Sequence, residues 1–106
     1  MEELKHTTDI VKNILEHDEH ARNSDGYLYL KVLNICGKEK GLDMNSMTVA
    51  DFLLNRHEYA LPPAETVRRT RQKVQQEYPE LAAKKPVQLK REAREKNFRE
   101  YARESI

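Results

Sequence analysis

Apolar residues recur along the chain at helical rather than strand spacing. In residues 2–20, Leu4, Val11, Ile14 and Leu15 fall on one side, with Ile10 adjoining, while Glu3, Lys12, Asn13 and Glu16 fall elsewhere. That pattern predicts an amphipathic helix. Asn23-Ser24-Asp25-Gly26 supplies a turn and a capping residue for the next element. The run from Tyr27 to Cys36 reads two ways. Its Tyr, Val and Ile content suits a strand, but the cap before it and its length suit a buried helix, and no partner strand is evident elsewhere, so a helix is expected. Thr48-Val49-Ala50-Asp51 has the outline of a capping box, opening a short helix with Val49, Phe52 and Leu53 on its core face. Asn55 to Leu61 form a loop, and Pro62-Pro63 lead into a helix over 64–78. With Val67 as reference and about 100° per residue, Val74 and Tyr78 lie within about 20° of it. Arg69, Gln72, Lys73 and Gln76 point the other way, with Arg68 on one flank and Thr66 on the other. Arg71 sits at the apolar edge and is expected to pair with a carboxylate.

The final helix, expected over 87–103, is laced with i,i+4 pairs: Arg91–Glu95, Glu92–Lys96, Glu95–Arg99 and Lys96–Glu100. Its apolar content is thin (Leu89, Ala93, Phe98 and Tyr101), so it is expected to dock lightly or to project. The fold class expected is therefore all-α, one small domain of four to five helices. Residues 1–81 form the helical domain, 82–86 a linker and 87–106 a charged helical tail.

Composition narrows the functional classes. The chain has 106 residues, 38% hydrophobic and 35% charged, enough apolar content for one modest core. Cys36 is the single cysteine, which excludes an internal disulfide and a four-cysteine metal site. No apolar run approaches signal-peptide or membrane length, so a cytoplasmic location without membrane contact is expected. Residues 1–60 carry seven Lys/Arg against eleven Asp/Glu, and residues 61–106 carry twelve against seven. An acidic half is thus followed by a basic half suited to an anionic surface.

Candidate chemistry is sparse. Glu16-His17-Asp18-Glu19-His20 offers metal-ligand types, but no further ligands are legible, and a hydrated helix end is the simpler reading. Phosphate-binding glycine loops, nucleophile elbows and Cys/His pairs are not legible, so neither an enzyme nor a cofactor is expected. A short helix, a loop and a longer helix rich in outward Arg, Lys and Gln form the outline of a helix-turn-helix unit over 48–78. Arg suits the guanine edge, Gln the adenine edge, and Lys supplies charge for phosphates.

The run Thr66-Val67-Arg68-Arg69-Thr70-Arg71-Gln72-Lys73-Val74 resembles the recognition helix of winged-helix and helix-turn-helix regulators. The loop from Asn55 to Pro63 is longer than the usual turn, and no wing strands are legible after Tyr78. The wider stretch from Leu61 to Leu81, with the charged tail ending in Tyr101-Ala102-Arg103, resembles small uncharacterised phage and prophage proteins of Gram-positive bacteria. These resemblances imply a phage-type regulator that binds double-stranded DNA. Phosphate contacts are expected from Arg68, Lys73, Lys84 and Lys85, base readout from Arg69, Gln72 and Gln76, and Thr66 opens the helix. A homodimer suits paired half-sites. The rival expectation is a phage-encoded protein-interaction module or inhibitor of a host enzyme or defence complex, without DNA binding.

Overall fold

The computed structural model describes residues 2–104, with side-chain surroundings for residues 6–97. Leu4, Phe98, Tyr101 and the expected pairs to Arg99 and Glu100 therefore lie outside the described side chains. Among the described residues the chain is helical throughout, with no strand: α1 (Glu2–His17), α2 (Glu19–Asn23), α3 (Asp25–Glu39), α4 (Val49–Asn55), α5 (Ala64–Glu77), a 3-10 turn (Pro79–Leu81) and α6 (Lys85–Glu104). The one helix beyond the expected count is α2, five residues capped by Asp18, whose side chain accepts from the His20 amide.

The ambiguous run is helix α3. Ser24 caps it, its Oγ accepting from Tyr27 N at 3.2 Å. Leu28, Val32 and Cys36, spaced by four, are buried together, as a helix requires. Burial pushes the Cys36 thiol above its usual pKa, which disfavours the nucleophilic thiolate. The helix stops in a Schellman arrangement: Leu42 N bonds Gly37 O at 2.8 Å, Gly41 N bonds Lys38 O at 3.2 Å, and Gly41 takes φ +74°, which glycine adopts without strain.

The core lies where α1, α3 and α5 meet. Val11, Ile14 and Leu15 from α1, Leu28 and Val32 from α3, and Val67 and Val74 from α5 are all buried, with Leu61 and Leu81 closing the ends. Tyr78 is half-buried, its ring covered by the Lys12 ammonium at 4.3 Å. Pro63 sits at the N-cap of α5.

The expected core face of α4 is corrected. Thr48 does cap the helix, accepting from Asp51 N at 3.0 Å. Asp51, however, accepts from Asn55 Nδ2 at 2.7 Å and Tyr59 Oη at 3.0 Å. Only Phe52 turns inward, edge-on to Tyr29, and Leu53 and Val49 are 70% and 75% exposed. The inward side of this short helix is occupied by one aromatic ring and a polar cluster, so its aliphatic residues face out.

Because Ser24 caps a core helix and Thr48 an outlying one, their loss should be felt differently. Ser24→Ala is expected to cost about 1 kcal/mol of global stability in urea unfolding. Thr48→Ala should leave the midpoint nearly unchanged, because α4 has no buried residue and opens locally.

Candidate nucleic-acid interface

Helix α5 is held by its inner face. Val67, Thr70, Arg71 and Val74 are buried, and Thr70 Oγ1 donates to Thr66 O at 2.8 Å. The expected pairing of Arg71 is present. Its Nε stands 2.6 Å from Asp25 Oδ1, with the N–H directed off that line, so the contact is an ion pair and not an aligned hydrogen bond. Arg71 Nη1 donates to Gln75 Oε1 at 2.9 Å. Gln75 in turn donates to the carbonyls of Arg22 and Leu81 at 3.3 and 3.0 Å. A buried guanidinium thus ties α5 to the start of α3.

With the inner face set, Arg69, Lys73 and Gln76 are solvent-exposed on the outside of α5. Arg69 leans back on Glu65, Nε to Oε1 3.1 Å. The other residues of the expected set are distributed differently. Arg68 makes a bidentate pair with Glu65 at 2.9 and 2.7 Å and stands 3.9 Å from Glu95 of α6. Gln72 donates to Glu95 Oε1 at 3.2 Å. Thr66 lies on the opposite flank, beside the loop residues Pro62 and Pro63 and His6 of α1. Lys84 and Lys85 are exposed at the start of α6, where Lys84 N donates to Asn23 Oδ1 at 2.8 Å. Two arginines and one lysine of the set therefore share a helix, and two more lysines stand at its far end, while Gln72 and Thr66 are turned aside.

Helix α6 docks through polar contacts. Arg91 Nη1 donates to Arg22 O at 3.2 Å and Nη2 to Asp25 Oδ1 at 3.4 Å. Gln88 donates to Ala83 O at 2.6 Å. The expected Arg91–Glu95 pair is therefore corrected: each side chain reaches a neighbouring element, because Asp25 and Gln72 offer partners that are already held in place. Between α3, α5 and α6 lies a cleft of about 510 Å³ lined by Arg68, Arg71, Arg91 and Arg94 with Asp25, Glu65 and Glu95. Desolvation, followed by repulsion from Arg71, lowers the Arg91 pKa. Arg91 and Glu95 went unnoticed as cross-helix partners in the sequence, where only their i,i+4 relation is visible.

The bonds from Arg68 and Arg69 pull the Glu65 pKa down to about 2. The sign is that of a depressed acid: the interaction is fully present above about pH 4.5 and is lost as pH falls through about 2. At neutral pH Glu65 is ionised and partly neutralises both arginines.

The acidic stretch near His17 is committed locally. His17 Nδ1 donates to Asn13 O at 2.8 Å, within the last turn of α1. Tyr27 Oη donates to Asp18 Oδ2 at 2.8 Å, which lowers the Asp18 pKa, and the His20 ring stacks edge-on to Tyr27. Among the described residues no group of three His, Cys, Asp or Glu side chains is arranged to hold a metal ion, and no helix is long and apolar enough to cross a membrane. No family model matches the chain, and comparison with curated proteins and with solved structures finds no match.

Proposed function

We propose that this chain is a small phage-type DNA-binding protein that meets duplex DNA with the outer face of α5 and the start of α6. The observation that carries the reading is the exposure of Arg69, Lys73 and Gln76 on a helix whose opposite face is locked by Val67, Arg71 and Val74. Locking matters because a recognition surface must arrive already oriented. Lys84 and Lys85, exposed beyond the end of α5, are taken in this reading as further phosphate contacts. Arg68 joins it only by exchanging Glu65 for a phosphate, so its contribution is smaller than that of Lys73.

The test is a titration of the intact protein against random duplex DNA at two salt concentrations. Lys73→Ala is expected to weaken binding to all sequences alike and to make the log–log salt slope shallower by about one unit. Arg69→Ala is expected to cost about 1–3 kcal/mol at a preferred site if it reads a guanine. Glu65→Gln should act in the opposite direction: freeing two guanidiniums, it should tighten binding several-fold and steepen the slope, by roughly one unit. Slopes unchanged by all three variants would reject this face as the contact.

A second reading, a protein-interaction module or inhibitor of a host enzyme or defence complex, is favoured by a separate observation. The aliphatic side of α4 is turned to solvent, with Leu54 82% exposed beside Leu53 and Val49. Under that reading the same titration shows no binding at low salt.

A further inference from the structure

Helix α4 is inverted relative to an ordinary surface helix. On the protein side Asp51 accepts from Asn55 Nδ2 and from Tyr59 Oη. Val49, Ala50, Leu53 and Leu54, spaced i, i+1, i+4 and i+5, face out, so the exposed side is the apolar one. Beside it lies an open groove between α3 and α4, lined by Leu30, Leu33, Met44, Met47, Thr48, Val49 and Phe52, with no ionisable side chain among its walls; Val49 is thus a groove wall, and the projecting ridge is Leu53 and Leu54.

We infer that this face is a two-fold interface at which α4 of one copy of the chain docks into the α3/α4 groove of a second copy. Three features select a second copy. The face carries both a projecting aliphatic ridge and an apolar groove next to it, so a two-fold axis near Ala50 and Leu53 sets each ridge in the other's groove, as an isologous contact requires. The groove walls carry no charge, so an aliphatic ridge enters without stranding an ionised group. The area is also sufficient. Val49, Leu53 and Leu54, with Leu30 at 55% exposure, leave roughly 500 Å² of residue surface in water, at the upper end of the apolar patches found on monomers. Complete burial of both faces would remove about 1,000 Å² in all, the least that a specific interface needs. An interface at that lower limit is a weak, concentration-dependent one.

The inference is independent of DNA binding, because α4 lies outside the α5/α6 surface. The experiment is sedimentation equilibrium of the full chain from about 5 to 500 µM, beside Leu53→Glu and Leu54→Glu. Both positions are largely exposed, and unchanged helical circular dichroism confirms that the variants fold. The parent should move from monomer to dimer across that range, and both variants should remain monomeric. As a second measurement, Ala50→Cys, near the axis, should form a disulfide-linked dimer on mild oxidation, while Lys90→Cys on exposed α6 should not. A parent that stays monomeric at the highest concentration overturns the proposal and gives the face to a different partner. A dimer that survives both glutamate variants overturns it equally, since the contact then lies elsewhere.

Discussion

Leu28→Ala is expected to lower the unfolding free energy by about 3 kcal/mol, while Leu30→Ala, two residues away, changes it by less than about 0.5 kcal/mol. Leu28 is fully buried and Leu30 is 55% exposed. The contrast follows from α3 being a helix. Two residues apart on a helix point about 200° from each other, whereas on a strand they share a face. For a domain of this size, with a stability of about 5–15 kcal/mol, the loss at Leu28 should lower the melting temperature by more than about 10 °C. Paired urea unfolding curves decide the matter: equal losses at the two positions would mean that the segment does not pack as described.

The ion pair between Arg71 and Asp25 should show an unequal response to removal of its two partners. The Arg71 side chain is 8% exposed and that of Asp25 is 40% exposed. Asp25→Asn leaves a buried guanidinium without its counter-charge and is expected to cost about 3 kcal/mol. Arg71→Met leaves a carboxylate that water and Arg91, at 3.4 Å, still solvate, and should cost roughly half as much. The double variant should recover part of the loss of Asp25→Asn, because the uncompensated charge is gone. Urea unfolding of the three variants measures this. If Arg71→Met proved the more damaging single change, packing of the guanidinium and its bond to Gln75 would outweigh the charge.

Much of the fold was legible because its signals are local. Ser24 and Thr48 announce helix starts through their own hydroxyls. The Val67–Val74 phase alone assigns Arg71 to the edge of the apolar face, and from there a carboxylate partner follows, although nothing in one dimension selects Asp25. What was not legible depends on competition between partners. Val49, Phe52 and Leu53 read as a core face, yet the side of α4 turned inward is decided by Tyr29 and Tyr59, distant in sequence or beyond the helix end. Arg91 and Glu95 satisfy the i,i+4 rule, but Asp25 and Gln72 are better placed to receive them. Helix α2, at five residues, is too short for any periodicity to register. The same limit applies to the candidate interface: helical phase put Gln72 with Arg69, Lys73 and Gln76 on the outward face, but it could not see that α6 approaches Arg68 and Gln72 and engages both through Glu95.

The most direct test of the central claim is the salt dependence of duplex DNA binding by the intact protein, measured beside the Arg69→Ala/Lys73→Ala double variant. The account predicts that the parent binds random duplex at low salt with an affinity falling steeply as salt rises. The double variant, folded as the parent is, should bind more weakly, with a slope shallower by about two units. A parent that binds no duplex at low salt, or a double variant that binds as tightly as the parent, would contradict it.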